Sequence, residues 1–198
     1  MSDHSFQDIM RAIRDPLLDG RLDAIQEYFP YETIKYAGTL RFLDGKHSSA
    51  VFERHQKIRF TEDGVGVFFD RVWGDGILFG GYFARGLRIM EPIRALKGYI
   101  VPLLLPRLFG RGETFNIVTR RKTIAAFYDA RGQWDTVMHA PTDLVSINVE
   151  TKGNELADPE IVAPPRGDIH AEHNPHQLRF RVARPALYTP YRLSWSWK

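Results

Sequence analysis

A chain of 198 residues, 43% hydrophobic and 13% aromatic, is long enough for one packed domain and too apolar for a disordered one. The absence of cysteine excludes disulfides, thiolate nucleophiles and cysteine-held metals, and makes a reducing cytoplasm the simplest compartment. The net charge of +3 is unevenly spread: residues 1–32 carry seven acidic groups among ten charges, whereas residues 85–122 carry nine basic groups against Glu91 and Glu113.

Phe6, Ile9, Met10 and Ile13 recur at helical spacing before Pro16, and Leu22, Ile25, Tyr28 and Phe29 do so before Pro30. Residues 1–30 therefore read as two short amphipathic helices that cap a sheet. Their sequence has neither the basic start nor the apolar run of a secretory signal. Beyond them the period changes to two. Ile34, Tyr36, Leu40 and Phe42 alternate with Lys35, Thr39 and Arg41, and Phe52, Ile58 and Phe60 oppose Glu53, His55, Lys57 and Arg59. Residues 64–73 are apolar on both parities, as a central strand would be. A further strand from Ile77 contains Gly80-Gly81, a pair that suggests a bulge. Residues 31–88 thus read as strands.

Residues 89–110 interrupt this pattern with the most apolar stretch of the chain. Pro92 suits a first helical turn, and Pro102 and Pro106 then remove backbone donors, so the stretch reads as a Pro-rich apolar helical insertion. Its longest uncharged run, residues 98–106, would cover only ~13 Å as a helix and cannot cross a bilayer. Leu103, Leu104, Leu105, Leu108 and Phe109 would cover the end of a sheet as core or, alternatively, close over a ligand as a lid. The flanking Arg85, Arg88, Arg94, Lys97, Arg107 and Arg111 add a third reading, contact with an anionic membrane surface.

Strands resume at Phe115. Residues 115–129 and 134–140 pair as a hairpin by turn logic, as do 144–150 and 156–162. Residues 163–176 lack periodicity and read as loop. Residues 178–182 and 191–197 alternate again, the indoles of Trp195 and Trp197 favouring a sheet edge or barrel seam. The whole is a single domain of the α+β class, mainly β. It holds one antiparallel curved sheet of eight to nine strands, rolled into a barrel or half-barrel, with two N-terminal helices and the insertion.

No phosphate loop, nucleophile elbow or zinc-protease helix is present. His170, His173 and His176 match no common zinc spacing, so no metal is assigned, and no cofactor is implied. Asp70 is the most informative titratable residue. A carboxylate in a strand apolar on both faces is an acid–base group with a raised pKa, one half of a structural ion pair with a neighbouring strand, or a group near the strand end in water. His139, also in an apolar strand, is its candidate catalytic partner, and Tyr82, Tyr128, Trp134, Trp73, Leu104, Leu105, Leu108 and Phe109 are candidate ligand contacts.

The function expected is the binding of a hydrophobic small molecule in a β-sheet cavity, with Asp70 and His139 able to convert it by isomerase, cyclase or dehydratase chemistry. The alternatives are a non-catalytic lipid-binding or membrane-surface protein and an interaction scaffold. Nucleic acid is disfavoured, since no single-strand-binding signature accompanies the basic groups.

Overall fold

The computed structural model describes residues 29–43, 45, 49–95, 98–127, 131–163 and 168–198. Within them the chain order is β1 (Tyr31–Phe42), β2 (Ser49–Phe60), β3 (Val65–Val72), β4 (Ile77–Ala84), β5 (Arg88–Ile89), β6 (Ile93–Ala95) and β7 (Gly98–Phe109). There follow β8 (Thr114–Ile124), β9 (Arg131–Val137), β10 (Leu144–Glu150), β11 (Leu156–Val162), β12 (Ile169–Asn174), β13 (Gln177–Ala183) and β14 (Pro190–Trp197). A seven-stranded sheet has the order β12-β13-β10-β1-β2-β8-β4. A three-stranded sheet runs β11-β14-β9, and a four-stranded one places β7 between β3 and β5, with β6 also on β7.

The expected single curved sheet is therefore corrected to three sheets, none closed into a barrel. Strand length explains why. At twelve residues each, β1 and β2 are longer than one small sheet can cover. On β2 the inward-facing Ala50 and Phe52 enter one core with Leu193 and Trp195 of β14. Farther along the same face, Ile58 and Phe60 enter a second core with Phe68 of β3 and Val101, Leu103 and Leu105 of β7. The two small sheets thus cover the two ends of one face of the large sheet. The described residues form an all-β protein, and the two expected N-terminal helices lie outside them.

The sheet is also not purely antiparallel. β1 and β10 pair in parallel, Tyr36 opposite Val145 and Arg41 opposite Glu150, while the other named strand pairs are antiparallel. A parallel pair needs a crossover connection. Here the chain between β1 and β10 builds β2 beside β1 and β8 beyond it, and supplies strands to both small sheets.

The expected helical insertion is corrected too. Arg88–Ile89, Ile93–Ala95 and Gly98–Phe109 form β5, β6 and β7, and β7 is buried on both faces from Ile100 to Leu105. A strand buried on both sides shows a continuous apolar run instead of alternation, and periodicity alone does not separate it from a buried helix. Pro102 sits within the ladder opposite Phe69. Pro106 falls where the register with β3 slips between Val67–Leu104 and Val65–Phe109, a bulge that has no use for its missing donor. The leucines are thus sheet core, and a segment flanked by strands on both edges is not a free lid.

Local hairpin logic also failed downstream. β8 pairs with β2 and β4, β9 with β14, and β10 with β1 and β13. Successive strands from β8 to β11 alternate between two sheets rather than pairing with one another. The expected loop contains β12, which pairs with β13 from Ile169–Val182 to Asn174–Gln177. β14 is the central strand of its sheet, not an edge, and Trp195 is wholly buried. Gly132 of β9 faces that indole in register, and a β-carbon there would collide with the ring, so only glycine lets the strands close over Trp195.

Candidate functional site

Between the two cores the inward face of the large sheet turns polar. On β2 the sequence Phe52, Arg54, Gln56, Ile58 places two polar side chains among apolar ones at the same parity. On β8 the corresponding run is Ile117, Thr119, Arg121, Thr123. Register brings Phe52, Arg121 and Tyr82 into one cross-strand row, with Arg54, Thr119 and Ala84 in the next. Gly38 opposite Arg54 carries no side chain, and a β-carbon there would press on the Phe52 ring. Over this floor lies a cavity of about 390 Å³, walled by β3 on one side and β9 on the other, where neither small sheet covers the large one.

Asp70 projects from β3 into the cavity and is only 3% exposed. Its Oδ1 lies 2.7 Å from Arg54 Nη1, and its Oδ2 accepts a 2.5 Å hydrogen bond from the Tyr82 hydroxyl. The Arg54 contact is an ion pair of poor hydrogen-bond alignment. Among the described residues, Asp70 Oδ1 and Arg54 Nε and Nη2 find no hydrogen-bond partner. Arg54 also stands over the rings of Tyr36 and Phe68, with centroid distances of 6.0 and 5.7 Å. Burial alone would push the Arg54 guanidinium down, but the Asp70 charge and nearby tyrosines outweigh it and hold the group above its ordinary value. Burial, reinforced by the Asp70 charge, raises the Tyr82 phenol. Tyr82 is a standing hydrogen-bond donor there.

Arg121 is different. It is 6% exposed and lines the same cavity, its guanidinium stacked 5.3 Å from the Phe52 centroid and 5.9 Å from that of Trp134. No ion pair engages it among the described residues, and its buried Nε has no hydrogen-bond partner there. Burial lowers its pKa, with partial compensation from Asp70. Phe52 and Trp134 themselves stack at 4.6 Å, and the Trp134 indole donates to Thr136 Oγ1 at 3.1 Å.

Of the residues expected from sequence, Asp70, Tyr82, Trp134, Trp73 and His139 all line this cavity. His139 is stacked on Phe29 at 6.0 Å and meets Tyr188 edge-on at 5.8 Å, and no contact joins it to Asp70. Burial, with the Arg71 charge, pushes its imidazole down to about 4. Leu104, Leu105 and Phe109 are core, Leu108 is surface, and none of the four borders the cavity. Tyr128 lies outside the described residues. His173 reaches the Leu156 carbonyl at 3.0 Å from an exposed edge strand, and among the described residues no group of three or more His, Asp or Glu side chains is arranged to hold a metal ion. Arg107 of the basic stretch is bound to Glu113 by two contacts of 3.0 and 2.7 Å. No helix among the described residues is long and apolar enough to cross a membrane.

Sequence reading missed Arg54 and Arg121, yet a signal existed. Once Phe52 and Ile58 are assigned inward, Arg54 and Gln56 must point the same way. A charged residue at an inward parity marks either an error of register or a built polar site.

No family model matches the sequence, and no curated protein matches it. Among solved structures, a presumed protease from Parabacteroides distasonis is 10% identical over 84% of this chain and 40% of its own, with a TM-score of 0.50. An M1 zinc metallopeptidase from Deinococcus radiodurans is 11% identical over 84% of this chain and 42% of its own, with a TM-score of 0.49. The chain thus spans about two fifths of the length of these solved structures. The expectation of a barrel of the isomerase, cyclase or lipid-binding kind is corrected: the sheets of the described residues do not close, and the Parabacteroides structure that this chain resembles in fold is described as a protease.

Proposed function

We propose that this chain is a binding module for a small molecule with an apolar, ring-bearing body, held in the cavity between the two small sheets. The observation that carries this reading is the composition of that one space. About 390 Å³ is within the range of ligand sites. Its walls are aromatic, from Phe52, Phe68, Tyr36 and Trp134, and a few buried polar groups converge on its floor. Aromatic walls supply affinity by burying apolar surface, and the polar groups set orientation.

Binding fits the geometry better than turnover. Asp70 commits its two oxygens to Arg54 and Tyr82, and His139 sits in its own aromatic surroundings without touching it. The peptidase activity named for the solved structures is not carried over, because the likeness is of fold and covers two fifths of those chains. Native mass spectrometry of the protein purified under gentle conditions tests the reading. A retained small molecule is expected, lost from Trp134→Ala and kept in a surface control such as Glu172→Ala. Retention unaffected by Trp134→Ala would place the ligand elsewhere and overturn the assignment.

A further inference from the structure

The charges in the cavity do not balance. Two guanidiniums, Arg54 and Arg121, and one carboxylate, Asp70, are each at least nine-tenths buried on its surface. Asp70 is already engaged, with Arg54 at 2.7 Å and Tyr82 at 2.5 Å. The other cavity carboxylates do not reach the floor. Asp135 turns to Arg192 at 2.8 and 3.0 Å, and Asp75 is exposed. Arg131, at the rim, is exposed and paired with Glu160 at 2.7 Å. Half-buried Arg71 stacks 4.5 Å from the Phe29 ring, and half-buried His139 and buried Tyr31 lie on that side too.

Among the described residues, this leaves Arg121 as a buried cation with two aromatic faces beside it and no anion in ion-pair contact. A protein bears the cost of such a group when something outside the chain completes it. We infer that the ligand carries one anionic group, a carboxylate, which pairs with Arg121 while its ring system lies against Phe52 and Trp134. Among the groups at least nine-tenths buried the surplus is a single positive charge, which calls for a monoanion. The planar guanidinium is shaped for two parallel hydrogen bonds to a carboxylate, and the rings beside it offer a stacking surface next to that head. This inference rests on the cavity being the ligand site and specifies what the ligand must carry.

The test uses the full chain at neutral pH and isothermal titration with three matched probes: naphthalene-2-carboxylate, its neutral carboxamide and 2-naphthyl phosphate. Wild type should bind the carboxylate at least about tenfold more tightly than the carboxamide, the ratio expected of a charge-assisted hydrogen bond. It should also prefer the carboxylate to the phosphate. Arg121→Leu should abolish that preference, so that carboxylate and carboxamide bind alike, while unfolding at the same temperature as wild type or higher, because a buried cation with no ion-pair partner among the described residues has been removed. Arg121→Gln, which keeps polarity without charge, should give the same loss of preference and guards against a leucine variant that fails to fold. Equal affinity for carboxylate and carboxamide in wild type, or a preference that survives in both variants, overturns the anion and leaves the cavity standing. Tighter binding of the phosphate overturns the carboxylate class. Failure of all three probes at millimolar concentration overturns the cavity reading and the anion with it.

Discussion

Replacing Asp70 by asparagine separates a structural carboxylate from a catalytic one. In the native protein Asp70 is 3% exposed, and its charge offsets Arg54, itself 7% exposed, with Arg121 close by. The amide is nearly isosteric, so little packing is lost. What disappears is the one buried negative charge of the cavity floor among the described residues, leaving the buried guanidiniums of Arg54 and Arg121 without it. Breaking one side of a buried pair costs ~3–5 kcal/mol. For a chain of this size, 1 kcal/mol shifts the melting temperature by ~2–4 °C, so Asp70→Asn should melt about 6–20 °C below wild type. Tyr82→Phe, which removes the donor to Oδ2 alone, should lose ~1.5–3 kcal/mol, the value of a hydrogen bond to a charged group. Exchanging the pair as a unit, Arg54→Met with Asp70→Leu, should recover most of the loss, since apolar replacement of both partners is often neutral or better. Circular dichroism during thermal unfolding at pH 7 reads all three. An Asp70→Asn protein melting within ~2 °C of wild type would refute the structural role and return Asp70 to candidacy as an acid–base group.

Three other outcomes follow from particular contacts. His139, depressed to about 4 in the fold from an ordinary 6.5, binds its proton more readily when unfolded. Its contribution is therefore complete above pH 6.5 and lost as pH falls towards 4, and His139→Phe should show a shallower stability loss across that window, whereas parallel curves would contradict the buried placement. Hydrogen exchange of the ligand-free protein should find the amides of Ile100, Val101, Leu103 and Leu104 among the slowest, since β7 is an inner strand, and rapid exchange there would restore the lid reading. Gly132→Ala should drive a methyl group into the Trp195 indole, at a cost of ~1–3 kcal/mol and with a change in near-ultraviolet circular dichroism, and an unchanged spectrum would argue against that packing.

The sequence made some of this architecture readable and concealed the rest for physical reasons. Alternation at Phe52, Ile58 and Phe60 showed a strand with one buried face because the opposite face meets water. In Ile100–Val101 and Leu103–Leu105 both faces are buried, alternation vanishes, and three prolines nearby imitate a broken helix. Which strands pair was not readable, because β1 meets β10 across more than a hundred residues and the successive strands β8 and β9, like β10 and β11, lie in different sheets instead of forming hairpins. Asp70 was legible as a buried carboxylate from its apolar neighbours. Its partner was not, since Arg54 lies on another strand, and the sequence reading assigned outward only Glu53, His55, Lys57 and Arg59 around it. Arg121 hid in the run Arg120-Arg121-Lys122, which by composition looks like a solvated basic patch. Strand parity turns Arg120 outward and Arg121 into the cavity.

The most direct measurement is a crystal structure of the protein soaked with naphthalene-2-carboxylate. The naphthalene ring should lie against Phe52 and Trp134 with its carboxylate within hydrogen-bond distance of the Arg121 guanidinium, while Asp70 keeps Arg54 and Tyr82. Density for the probe on the outer face of the large sheet, or in the cavity with its carboxylate turned away from Arg121, would contradict the account.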